Sequence, residues 1–148
     1  MKKQFVSTLI ALGFAAVCVT PAFGQDLDLL AGKWSIQKTN ADGQRYTQQI
    51  EIKKNKFTFK ITNTAGESQL YAEGDVKLDK AGPLKVIVFS NIKAGQTAAE
   101  TDSIDDTYTS IYKLDGDSTL LMASNFDKDR EGQKPSLDAY RKAAPAKK

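Results

Sequence analysis

Histidine is absent from the 148 residues, and cysteine occurs once, at Cys18. Without imidazole, Ser-His-Asp and Cys-His catalysis, histidine metal sites and proton shuttling near neutral pH have no residues to run on. A lone thiol closes no disulfide within the chain, so stability must come from packing. Charge of one sign is not in excess either: 21 Lys and Arg face 18 Asp and Glu. Lys2 and Lys3 fall in a segment expected to be removed, which takes the 21 to 19 and the net charge to +1. That balance predicts no broad positive field for nucleic acid or anionic lipid. Long apolar runs are scarce. The longest, Phe5 to Val19, spans about fifteen residues against the roughly twenty that a membrane-crossing helix needs.

What is present begins with a leader. Lys2 and Lys3, the apolar run FVSTLIALGFAAVCV and the small residues Ala22 and Gly24 follow the three-part plan of a secretory signal peptide. Residues 1–24 are therefore expected to be cleaved before Gln25, giving a periplasmic or extracellular protein without a membrane span. Acylation at Cys18 would need a small residue before it, and Val17 is bulky. With 41% hydrophobic and 26% charged residues, the remaining chain has the composition of one globular domain, placed at residues 25–142. The Ala-, Pro- and Lys-rich residues 143–148 form a basic tail expected to be disordered.

From Trp34 onward apolar residues recur at every second position, and turn-forming residues interrupt them at short intervals. Trp34 and Ile36 alternate with Lys33, Ser35 and Gln37, and Tyr46, Ile50 and Ile52 with Arg45, Thr47, Gln49 and Glu51. Phe57, Phe59 and Ile61 continue the pattern, as do Leu70, Ala72, Gly74, Val76 and Leu78, with a bend expected at Gly74. Turns are expected at Ala41-Asp42-Gly43, Lys54-Asn55, Thr64 to Glu67, Ala81-Gly82-Pro83 and Asp115-Gly116-Asp117. The run Leu84 to Ile92 is apolar on both faces, which predicts a strand covered on its outer side as well. Lys93 to Ile104 is polar and patternless, and reads as the longest exposed loop. Tyr108, Tyr112 and Leu114 resume the alternation and Thr119 to Ser124 returns, while Asp26 to Leu30 and Pro135 to Lys142 are short helical or extended ends.

Period two over most of the chain makes the protein all-β. Seven or eight short strands in succession, each with one apolar face, must close or stack to hide it. Closure into an antiparallel up-and-down barrel also removes the exposed edges. About eight strands leave an interior that side chains fill or that holds one small ligand. Trp34, Ile50, Phe59, Val76, Val86, Tyr112 and Leu121 are the expected core.

Leu29-Leu30-Ala31-Gly32-Lys33-Trp34 resembles the start of lipocalin and other calycin barrels, in which a helical turn leads into a first strand carrying Gly-x-Trp. Together with Ile111 to Asp117 and the late Gly132-Gln133-Lys134-Pro135, the pattern is similar to small lipocalin-like domains of exported bacterial proteins. The resemblance covers roughly Leu27 to Arg141. It implies an eight-stranded barrel with Trp34 plugging one end and a basic residue, assigned to Arg141, packed over the tryptophan. The Thr-Asp-Tyr element of lipocalins has only a loose echo here in Asp106-Thr107-Tyr108.

Tyr46, Phe57, Phe59, Tyr108 and Tyr112 share the inward parity of their strands, and Gln48 and Ser110 fall among them. These side chains are either ordinary core or the lining of a calyx. The calyx reading takes Tyr46, Gln48, Phe57, Phe59, Ile61, Ile92, Tyr108 and Tyr112 as ligand contacts. Strand direction then puts the turns at Ala41 to Gln44 and Thr64 to Glu67, with the segment Lys93 to Ile104, around the open end. Asp127, Asp129, Glu131, Gly132 and Asp138 echo the spacing of a calcium-binding loop, but Lys128 and Arg130 offset the charge and Pro135 interrupts it. That segment reads as a solvated turn, and no metal or cofactor is assigned. No two carboxylates are brought to one cleft by pattern, so no catalytic residues are assigned and the protein is read as a non-enzyme. Two roles stay open. One is a binding protein holding a small hydrophobic ligand in the barrel; the other is an interaction domain with a filled barrel that binds another protein.

Overall fold

The computed structural model describes residues 23–126 and 134–144. Helix α1 (Phe23–Leu30) is followed by β1 (Gly32–Thr39), β2 (Arg45–Lys53), β3 (Lys56–Asn63), β4 (Ser68–Ala81) and β5 (Leu84–Thr97). Then come β6 (Glu100–Ile104), β7 (Tyr108–Asp115), β8 (Thr119–Ser124) and β9 (Ser136–Lys142). All pairings are antiparallel, in the order β4-β3-β2-β1-β9-β8-β7-β5, and β4 pairs with β5 to close an eight-stranded barrel. β6 is the extra strand. It continues the edge of β5 above the place where β7 leaves it, since Phe89 and below pair with β7 while Ile92 and above pair with β6. Phe23 and Gly24 open α1; the rest of the expected leader lies outside the described residues, as do 127–133 of the calcium-like segment and 145–148 of the tail. Among the described residues no helix is long and apolar enough to cross a membrane.

The alternation read from the sequence becomes cross-strand ladders with one face turned inward. Trp34, Ile50 and Phe59 align across β1, β2 and β3, and Ile52 aligns with Phe57. Trp34, Leu30, Ile52, Ile87 and Leu120 are the largest side chains fully withdrawn from water. Each such side chain contributes roughly 1.5–3 kcal/mol of burial energy against its exposed state. Two turns at one end share a design: the Asn40 Oδ1 accepts from the Gln44 N–H at 2.8 Å and the Asn63 Oδ1 from the Glu67 N–H at 2.9 Å. The bend at Gly74 is where the β4–β5 register slips, between Glu73 and Asp75. A side chain there would lie 2.6 Å from the Ser90 carbonyl oxygen, so only glycine lets the two backbones come this close.

Opposite Gly74, Asn91 adopts a φ of 50°, and this bulge resets the parity of β5. Ile87 and Phe89 point inward below it; Ile92 and Ala94 do so above it. The Asn91 amide donates to the Asp75 Oδ2 at 2.7 Å, and this bond, with the ion pair to Lys56, holds the Asp75 carboxyl below its ordinary pKa. Val86 is buried, but on the outer face beside Ile111, as the doubly apolar run implies.

Two expectations are corrected. Lys93 to Ile104 is not a loop: it is the upper half of β5 and the whole of β6, turning at Ala98-Ala99. Apart from Ala94 and Ile104, which line the cavity described below, its strands carry mostly polar residues, because β6 leaves its side chains largely in solvent. Leu121 faces outward and is only half-buried; Leu120 and Met122 occupy the interior, because Met122 pairs with the inward Tyr112. Phe59 packs against the core as expected and is half-buried, since it borders open space described below.

Candidate ligand cavity

One end of the barrel is shut. Helix α1 lies there, and the indole Nε1 of Trp34 donates to its Leu30 carbonyl oxygen at 2.8 Å. Gly32, with φ 125°, makes the sharp passage from helix to strand. The basic residue over the indole is Lys142, with Nζ 5.1 Å from the ring centroid, and not Arg141. Register decides this: Lys142 pairs with Trp34, while Arg141 pairs with Ser35 and sends its guanidinium to the Thr119 hydroxyl. Asp26 of α1 ties the helix down by accepting from Lys85 Nζ at 2.6 Å and from the Tyr112 hydroxyl at 3.4 Å. Burial, with Asp26 adding its negative charge, pushes the Tyr112 phenol up to about 12.

The other end is open onto a cavity of about 490 Å³. Its apolar wall comes from β3, β4 and β5: Phe57, Phe59, Leu70, Ala72, Phe89 and Ile92. The Phe57 and Phe89 rings meet edge to face at 4.7 Å, a contact that fixes this wall. Ile50 and Met122 are the deeper apolar contacts on the other strands. Ile104 and Tyr108, each 38% exposed, stand where the cavity meets solvent.

The facing wall, from β1, β2, β7, β8 and β9, is polar and paired within itself. Lys38 Nζ lies 2.7 Å from Asp138 Oδ1 and 2.8 Å from Oδ2. The Tyr140 hydroxyl donates to Gln48 Oε1 at 3.2 Å, and the Ser110 and Ser124 hydroxyls share a bond of 2.8 Å. Tyr140 is buried, and burial first, then Asp138 and Tyr46, raises its phenol well above the ordinary value. The arrangement offers an apolar slot with hydrogen-bonding groups along one side and toward the mouth. Among the described residues no three acidic, cysteine or histidine side chains converge on a point that would hold a metal.

Of the residues singled out from the sequence, Gln48, Phe57, Phe59, Ile92 and Tyr108 line this cavity. Tyr46 and Ile61 lie outside the lining although they share its parity, and Tyr112 reaches toward α1 at the shut end. Asp138, the last position of the calcium-like spacing, is the ion-pair partner of Lys38. Lys38, Asp138 and Tyr140 are among the lining residues that the sequence reading does not name as ligand contacts. A signal existed: Lys38 continues the Trp34, Ile36 series, and Asp138 and Tyr140 alternate with Leu137 and Ala139. Comparison with protein-family models, curated proteins and solved structures finds no match to this chain.

Proposed function

We propose that the protein is a non-enzymatic, lipocalin-like binding protein of an exported compartment, which holds one small, largely apolar ligand in the open half of its barrel. The observation that carries the reading is the cavity itself: about 490 Å³, walled on one side by phenylalanine and aliphatic side chains and open at one end. That volume falls in the range of small-molecule sites, and so does the mix of apolar lining with a few placed polar groups. A barrel that served only as a scaffold would gain stability by filling this space, at roughly 20–30 cal/mol per Å³ of cavity removed. The lipocalin likeness draws on Gly32-Lys33-Trp34 behind a short helix and on a basic residue over the tryptophan. Export rests on the leader read from residues 1–24.

The test is titration with N-phenyl-1-naphthylamine, a neutral apolar dye that brightens on leaving water. Saturable binding at one site is expected. Ala72→Phe, which fills the cavity from β4, should weaken it at least about tenfold, or ~1.4 kcal/mol. Ala94→Phe, nearer the mouth, is the second variant. Unsaturable partitioning, or wild-type affinity in both variants with the fold intact, contradicts the reading.

A second reading, a protein-interaction domain, is favoured by one feature of the outer surface. Val86, Ile111, Ala123 and Leu137 align across β5, β7, β8 and β9, and Leu137 is 70% exposed. Absence of dye binding in the cavity would turn the account toward that face.

A further inference from the structure

Lys38 and Asp138 are the only charged side chains lining the cavity among the described residues, and they are bound to each other. Their side chains are 27% and 15% exposed, so neither is freely bathed by solvent. A lysine ammonium has three N–H donors; Lys38 Nζ donates to Asp138 Oδ2 and lies 2.7 Å from Oδ1 of the same carboxylate, so at least one donor is left. The carboxylate still has lone pairs to offer. The pair therefore presents at least one donor and several acceptors side by side, with no net charge.

Resting on the cavity reading above, we infer that the ligand is a neutral amphiphile, an alcohol or amide, whose head group bonds to the Lys38–Asp138 pair while its apolar body lies against Phe57, Phe59 and Phe89. A hydroxyl or primary amide accepts from Lys38 and donates to Asp138 without breaking the bond between them. A carboxylate head can accept from Lys38 only by coming beside the Asp138 carboxylate, where like charges repel at low exposure. An ammonium head meets the mirror problem at Lys38. Displacing either partner leaves the other charge partly buried and unpaired, which costs more than the new contact returns. The Gln48 amide and the Ser110–Ser124 hydroxyl pair lie on the same polar wall and extend it. Aromatic and aliphatic groups fill the opposite side, so the two walls fix which way the amphiphile faces.

The experiment displaces bound N-phenyl-1-naphthylamine with four ten-carbon compounds of one tail: decan-1-ol, decanamide, decanoate and decylammonium, at pH 7. The alcohol and amide are expected to displace the dye at concentrations about tenfold below the two ions. Asp138→Asn frees the lysine charge and should switch the order toward decanoate. Lys38→Gln should switch it toward decylammonium. Equal or better displacement by either ion in the wild-type protein overturns the inference while leaving the cavity reading intact, and so does a rank order unchanged in both variants. Failure of the dye to bind saturably removes both. Should a variant not fold, the wild-type series alone decides.

Discussion

Lys142 holds its ammonium 5.1 Å from the centre of the Trp34 ring, on the residue that pairs directly with Trp34 across β1 and β9. The contact clamps the last strand over the plug of the first. Lys142 is exposed, so its charge should contribute about 0.5–1 kcal/mol. Lys142→Met, which keeps the aliphatic stem, is expected to lower stability by that amount and to shift the emission of Trp34, the single tryptophan. Arg141→Met should leave the emission unchanged, because Arg141 bonds to Thr119 instead.

Leu120 and Leu121 are neighbours in sequence with opposite fates: the first is fully buried and the second half-buried on the outer face. Leu120→Ala should cost about 2–5 kcal/mol in denaturant unfolding. Leu121→Ala should cost below about 1 kcal/mol. The reverse order would mean that β8 is in the other register.

Gly74→Ala places a methyl group 2.6 Å from the Ser90 carbonyl oxygen and 3.0 Å from that of Asn91, both backbone atoms that cannot swing away. A loss of about 1–3 kcal/mol is expected. Gly43, whose added methyl would meet nothing within 4 Å, has a φ of 78° and tests the turn alone. Gly43→Asn, a residue that tolerates this conformation, should be close to neutral.

The phenols at the two ends of the interior give the protein an alkaline weakness. Tyr112 has its pKa raised from 10 to about 12 in the folded state, chiefly by burial and then by Asp26. The unfolded chain therefore loses this proton first as pH rises, so the stabilisation is complete below about pH 10 and is lost between there and about pH 12. Tyr140 shifts in the same direction. Urea midpoints should fall across that window, and less steeply in Tyr112→Phe.

The strands and the barrel were legible because a half-buried strand writes its pleat into the sequence at period two, as Trp34, Ile50 and Phe59 show. β6 was illegible for the opposite reason: Glu100 to Ile104 pairs with β5 on one edge and leaves its side chains largely in solvent, so no alternation is imposed. The inward residues of β8 are ambiguous in the sequence because two leucines stand together in Thr119 to Ser124, and only the pairing of Met122 with Tyr112 settles which points inward. In the cavity, parity told which face a residue occupies but not its height. Tyr46, Gln48 and Ile50 share one face of β2, yet only Gln48 and Ile50 line the cavity. The basic residue over Trp34 depended on a one-residue choice of register between Arg141 and Lys142, which composition cannot make.

The most direct test of the central claim is to map a bound neutral ligand by amide chemical-shift changes in the isotope-labelled protein. With decan-1-ol the largest changes should fall on Gln48, Phe59, Ala72, Phe89 and Ile92 around the cavity, with Trp34 and Leu120 at the shut end little affected. Changes confined to Ile111, Ala123 and Leu137 on the outer face, or no saturable change at all, would contradict it.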